Sequence, residues 1–480
     1  MVRSSASALD RPGIRIAAFL VVAVWGLYQC FWNLLGSNIA GDESIYINAG
    51  WDYVHGDFAD NREHPPFAKY LFGLAQLVLG QGALGPRLVV AVLVFAVAVV
   101  AFLWLRRHIG FWAGLTAAGL WLLTPRGGVG TRVDRIALLD PVMAVFALFA
   151  LAAAWAWVRT DRWWLAPVSG ALMALSVTSK VSTVVLLPAF LLLPVFHRAW
   201  RKLLIGGLLW VLAFGVVFVV VYLPMGIRSA IEYMVVFQNG QNTNGHPITI
   251  DGHVYTFAPW WANPLFFERG VGVVMTVVIV VGLIAALVVR PDVLVAYLAT
   301  ALGCMVVFYV VVAKIALPHY YEAWMPVLLV LTAIGYARLG SLPPRTWTSA
   351  VAALLVLVSA VPAVGLSRAI ATAEPTGIAL VDGYLRSRGV DGGTVLFVSA
   401  TPTVYRPYFA DRGTMDVRKG PFTAVVVGGD PRFPAAGTVT ALIRNDADEL
   451  VRRDVDGLVV YTPKEPGTIA DQGAGLTVVH

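Results

Sequence analysis

Ten acidic or basic side chains crowd the thirty residues Gly41–Tyr70, GDESIYINAGWDYVHGDFADNREHPPFAKY. They are Asp42, Glu43, Asp52, Asp57, Asp60 and Glu63, with His55, His64, Arg62 and Lys69. A carboxylate can draw a proton from an attacking hydroxyl. Lysine and arginine can hold a phosphate, arginine with a two-pronged grip. Further along, TRVDRIALLD supplies Arg132, Asp134, Arg135 and Asp140, and the turn TSKVS supplies Lys180. The segment Met225–Gly270 carries His246, His253 and the pair Trp260–Trp261, and AKIALPHYYEAW carries Lys314, His319, Tyr320 and Tyr321. Paired tryptophans at a membrane surface suit a sugar face or a lipid head group. Base, phosphate-holding cations and such aromatics together suit transfer of a group from a lipid-linked phosphate to a hydroxyl.

The surroundings make this charge conspicuous. Of 480 residues, 58% are hydrophobic and 13% charged, and the mean hydropathy is +0.75. Soluble domains carry about 25% charged residues, so the chain reads as a polytopic α-helical membrane protein, where charge is costly and functional by default. Cys30 and Cys304 sit apart in apolar runs, which excludes a disulfide framework and a cysteine metal motif. No basic run interleaved with aromatics appears, so nucleic acid is not a partner. The Ser/Ala-rich start precedes an apolar run, 14–35, long enough to span and without a following cleavage site, hence a retained first helix.

Eleven apolar segments can cross a membrane: 14–35, 86–105, 109–127, 135–158, 163–179, 181–196, 203–224, 271–289, 293–313, 317–337 and 347–367. Phe67–Gly85 is ambiguous, and counting it as a span reverses every later loop. If it lies along the outer surface, thirteen basic residues fall in inner loops: Arg3, Arg11, Arg15, Arg106, Arg107, Arg159, Arg162, Arg198, Arg201, Lys202, Arg290, Arg338 and Arg345. Only Asp10, Asp161 and Asp292 accompany them. That bias obeys the positive-inside rule and predicts a cytoplasmic N-terminus, eleven spans in the cell membrane and outer loops 36–85 and 225–270. Residues 1–369 then form the membrane domain, and 370–480 a small extracytoplasmic α/β domain. Strands are expected at Thr394–Ser399, Ala424–Val427 and Gly457–Tyr461, helices at Gly377–Arg388 and Ala447–Arg453, and turn-rich pieces such as GGDPRFPAAG between them.

Each polar group has an ordinary explanation alone. Asp42–Glu43 can cap a helix, Arg132 and Arg135 can pair with nearby acids, Lys180 can snorkel from a helix end, and HPP can be a rigid turn. Their joint arrival on one outer face is what those explanations leave out.

The DE pair after the first span followed by HPPFAK resembles glycosyltransferase family 39, including the protein O-mannosyltransferases and lipid A aminoarabinose transferases. RIALLD, SKVSTVVLLP, WWANPL and PHYYEAWMPVLLVLTAIG follow in matching order, over about residues 14–340. The resemblance implies a GT-C fold, a polyprenyl-phosphate sugar donor, a hexosyl or pentosyl transfer with inversion, and a glycan, lipid or protein acceptor. It implies Asp42 as the base with Glu43 beside it, and Arg132, Arg135, Lys180 and Lys69 around the donor phosphate. Asp140 and His64 would order the site, and Trp261, His319 and Tyr320 would line it. No cofactor is required; a divalent cation could sit on Asp42 and Glu43, since hard cations take carboxylate oxygens. The competing readings are a transporter or flippase of a lipid-linked sugar, which would want mid-span polar groups and inverted repeats, and a membrane-anchored binding protein working through residues 370–480.

Overall fold

The computed structural model describes residues 11–480 apart from 129–130, 161, 344, 400–401, 430–436 and 474. Arg3, Asp10 and Asp161 of the predicted inner loops, and most of the GGDPRFPAAG turn, lie outside the described residues.

Apolar runs become helices, and prolines and glycines set where they begin and break. The first, α1 (Pro12–Phe31), opens on a proline whose missing N–H would be unpaired there anyway. Two short helices, α2 (Glu43–Val54) and α3 (Phe67–Leu79), follow and carry the charged segment. The bundle continues with α4 (Leu84–His108), α5 (Phe111–Leu123), α6 (Leu139–Arg159), α7 (Leu165–Val177), α8 (Leu187–Phe196) and α9 (Gly207–Tyr222). The large loop holds α10 (Ile227–Asn244) and a hairpin of β1 (Ile248–Ile250) and β2 (His253–Tyr255). Then come α11 (Ala262–Val271), α12 (Val273–Val288), α13 (Val293–Val307), α14 (Met325–Leu339), α15 (Arg345–Val358) and α16 (Ala360–Thr372).

Each of the eleven expected spans meets helix. Six are long and apolar enough to cross a membrane: Pro12–Phe31, Leu84–His108, Leu139–Arg159, Lys202–Met225, Val293–Val312 and Ser349–Thr372. The α11–α12 pair is bent by 109° at Gly272, whose φ of 81° is open to glycine. The remaining four, α5, α7, 181–196 and α14, are shorter apolar helices. The span expected from residue 317 begins only at Met325, with Pro326 in its first turn, where a missing N–H costs nothing. Residues 313–324 are thereby left as loop and a short 3₁₀ turn, Tyr320–Ala323. At 13 residues α3 is about 20 Å long, the same length as α5 and α7. It buries Ala68, Lys69, Phe72, Gly73 and Gln76 and exposes Leu74, Leu77 and Val78, an amphipathic division that suits a helix lying in an interface.

Beyond α16 come α17 (Ile378–Ser387), β3 (Thr394–Val398), α18 (Pro402–Phe409), β4 (Gly413–Thr414), β5 (Phe422–Val427), α19 (Gly437–Asn445), β6 (Leu450–Val455), β7 (Leu458–Pro463), β8 (Thr468–Asp471) and β9 (Leu476–Val479). The strands form one mixed sheet in the order β4-β3-β5-β7-β6, with β8 joining β5 and β9 joining β8. Alternate residues of β3 face opposite ways: Val395 and Phe397 pack with Val381, Leu385 and Phe409, while Leu396 and Val398 pack with Val439 and Leu442. The helix expected over Ala447–Arg453 is not formed; that stretch enters edge strand β6, which turns into β7 through Asp456–Gly457, both at positive φ. An edge strand with Arg452, Arg453 and Asp454 exposed lacks the apolar alternation that marks a strand, and the Asp-Gly turn was the signal that could have found it.

Candidate active site

The HPP turn and α3 are docked against the far side of the bundle. Pro65 and Pro66 stop any helix from running through, and the amide of Phe67 donates to the carbonyl of Thr178 at 2.9 Å, bringing the turn beside Lys180. α2 crosses α3 so closely that a Cβ on Gly73 would lie 2.1 Å from the carbonyl oxygen of Gly50.

Four chain segments converge here. Asp140, in the first turn of α6, is fully buried and receives Lys180 Nζ on Oδ1 at 2.7 Å. His319 Nε2 lies 3.5 Å from its other oxygen. Lys180 Nζ also sits 4.0 Å from the centre of the Tyr320 ring, a cation–π contact. Tyr309 closes one side, donating from Oη to Ser182 Oγ at 2.7 Å and packing 5.5 Å from Tyr320. His64 stands edge-on to Tyr46, with ring centres 5.9 Å apart. Asp42, at the N-terminus of α2, is partly exposed; Tyr46 Oη lies 3.5 Å from its carboxylate, and no ion pair engages it among the described residues. Through Tyr46 it adjoins His64 on the same side of the site.

The electrostatics divide the roles. Burial pulls the Lys180 amine down, but the adjacent Asp140 outweighs it and holds Lys180 above its ordinary range, hence charged. Burial, reinforced by Lys180 and Lys69, pushes His64 down to about 3, so it is a neutral imidazole.

Other expected site residues are brought elsewhere or are already engaged. Glu43 accepts both prongs of Arg87, at 2.7 and 2.8 Å, and the Ala137 amide at 2.9 Å. It therefore ties α2 to α4 and to the segment before α6, and is not free to share a cation with Asp42. Lys69, expected at the donor phosphate, is buried and donates to Tyr53 Oη and to backbone carbonyls of Asn61 and His64 at 3.0, 2.5 and 2.9 Å; it fastens the loop before HPP. Arg132, also expected there, has every N–H taken: by Asp134, the Gln29 side chain and the carbonyls of Leu122 and Trp121. Arg135 donates to the carbonyls of Gln29, Trp32 and Asn33. Arg135 thus closes the C-terminal end of α1 and Arg132 that of α5, where the last carbonyls lack helical partners. Trp261 starts α11 and packs 5.7 Å from Tyr255 of the hairpin, while its neighbour Asn263 donates to the Tyr309 carbonyl.

Arg87, Tyr46 and Tyr309 were not singled out in the sequence, nor were Arg126 and Glu322, which are buried together with Arg126 paired to Asp134 and to Glu322. A lone arginine or acid in an apolar stretch was the available signal for Arg87 and Glu322. Among the described residues, no group of three or more His, Cys, Asp or Glu side chains is placed to hold a metal. A cavity of about 450 Å³ lies between the 125–132 loop, Asn33 and α16, and neither Asp42 nor Asp140 lines it.

Residues 63–227 match the family described as dolichyl-phosphate-mannose-protein mannosyltransferase, a stretch containing HPPFAK, RIALLD and SKVSTVVLLP. No curated protein sequence matches the chain. In structure the chain is similar to ArnT from Cupriavidus metallidurans bound to undecaprenyl phosphate, with a TM-score of 0.60 at 15% identity over 95% of this chain and 98% of that one. It is also similar to the oligosaccharyltransferase AglB from Archaeoglobus fulgidus in complex with an inhibitory peptide and a dolichol-phosphate, with a TM-score of 0.52 at 11% identity over 88% of this chain and 70% of that one. At such identities the likeness is one of fold: the chain has the GT-C fold of membrane glycosyltransferases, with a C-terminal sheet domain, as the motifs led one to expect.

Proposed function

We propose that this chain is an integral-membrane inverting glycosyltransferase that moves a hexosyl or pentosyl group from a polyprenyl-phosphate donor to a hydroxyl of a cell-envelope glycan, lipid or protein on the outer face of the membrane. The observation that carries this reading is a partly exposed carboxylate, Asp42, that has no ion pair among the described residues, in one site with a buried, charged Lys180 held by Asp140. Further support comes from the family match and from structural neighbours described as bound to undecaprenyl phosphate and dolichol-phosphate.

In this reading Asp42 takes the proton of the acceptor hydroxyl as its oxygen bonds to the anomeric carbon. The bond from that carbon to the phosphate oxygen breaks, and the polyprenyl phosphate leaves with the electron pair. One in-line displacement inverts the carbon. The leaving group needs a cation more than a proton, and Lys180 supplies it: one N–H goes to Asp140, leaving others for phosphate oxygens. His64, neutral, adds no charge and can hydrogen-bond the sugar or the phosphate. Purified protein offered polyprenyl-phosphate mannose and polyprenyl-phosphate arabinose tests this. Consumption of one donor with release of polyprenyl phosphate and an inverted glycosidic linkage is expected; no consumption of either, or a retained configuration, overturns it.

A further inference from the structure

Among the described residues nothing bonded to the Asp42 side chain fixes it firmly, since its contact is Tyr46 Oη at 3.5 Å. Its position must come from the chain on either side, and α18 of the C-terminal domain holds that chain at two points, one a backbone amide and one a side chain. Tyr408 Oη accepts the Ile39 amide at 2.9 Å, three residues before Asp42. Ten residues after it, Arg406 forks onto both oxygens of Asp52 near the far end of α2, at 2.8 and 2.5 Å. A partly buried, two-pronged arginine–carboxylate pair is the geometry in which an ion pair contributes measurably. Asp57 and Asp60 lie beside Asp52, so without Arg406 three acids would be left repelling one another there. Behind the same segment, Asn38 bonds the Thr376 amide and hydroxyl at 2.9 and 2.7 Å, just past α16.

We propose that Arg406 and Tyr408 are positioning residues: a two-point clamp through which the C-terminal domain sets the place of α2, and with it Asp42. This rests on the reading of Asp42 as the base. Its test uses the full chain in lipid nanodiscs. Arg406→Ala is expected to lower kcat by about tenfold with KM for the donor within about twofold, and with the unfolding midpoint nearly unchanged. Arg406→Lys recovers part of the loss, and the swap of Asp52→Arg with Arg406→Asp recovers more than either change alone. Tyr408→Phe, which deletes one acceptor oxygen and keeps the ring, gives a smaller fall of the same kind. Wild-type kcat in both Arg406→Ala and Tyr408→Phe overturns the clamp, as does a loss that merely follows the fraction of folded protein. Amide hydrogen exchange over residues 43–54 reads the clamp without any substrate. Faster exchange in Arg406→Ala is expected, and unchanged exchange contradicts the clamp even if the wild type proves to consume no donor.

Discussion

Lys180 and Asp140 illustrate how one buried pair does two things. Each partner would be costly alone in the interior, and the 2.7 Å contact keeps both charged. Lys180→Met should therefore cost about 3–5 kcal/mol by leaving Asp140 unpaired, and adding Asp140→Asn should restore much of the stability but not the turnover. Thermal unfolding of the single and double variants checks this. His64 carries a pH consequence. The folded protein keeps it neutral down to about 3, whereas the unfolded chain takes up the proton near 6.5. Below 6.5 the unfolded state thus binds more protons, so this residue's contribution is intact above that pH and is lost as pH falls toward 3. A His64→Gln variant should show a flatter fall of the unfolding midpoint between pH 6.5 and 4. At this scale the sequence was informative about residue type: Asp42, His64, Asp140, Lys180, His319 and Tyr320 do come together. It was uninformative about Lys69, Arg132 and Arg135, because which carbonyls absorb a cation's N–H groups depends on three-dimensional neighbours such as the end of α1.

α2 and α3 owe their close crossing to two glycines. A methyl on Gly73 would meet the Gly50 carbonyl oxygen at 2.1 Å and the Val54 side chain at 2.6 Å. Gly73→Ala should force the helices apart at a cost of about 1–3 kcal/mol and lower turnover by moving Asp42. Gly119→Ala in α5 is the contrast: its new methyl meets only Val22, at 3.7 and 3.8 Å, and the gain in helix propensity should leave stability equal or about 0.5–1 kcal/mol higher. Unfolding midpoints of the two variants decide the point. Long apolar helices were legible because twenty greasy residues have few alternatives. Where α14 starts and where β6 runs were not, since Pro326 shortens a run that hydropathy alone extends, and an edge strand shows no clear two-residue period.

As a whole, the molecule sets a bundle beneath a mixed α/β sheet domain, with the site where α2, the start of α6, the Lys180 turn and the 313–324 loop meet. Its orientation across the membrane rests on the basic bias of one set of loops. In a Cys304→Ser background, Ala59→Cys and Asp391→Cys should react with an impermeant maleimide in intact cells, and Arg162→Cys only after permeabilisation; the reverse pattern contradicts the outward-facing site. The most direct measurement is donor consumption by wild type and Asp42→Asn, purified side by side and matched for unfolding midpoint. A positioned general base contributes roughly 10²–10⁴-fold, so the wild type should release polyprenyl phosphate from its donor and Asp42→Asn should be slower by that factor. Full turnover by Asp42→Asn would contradict the account.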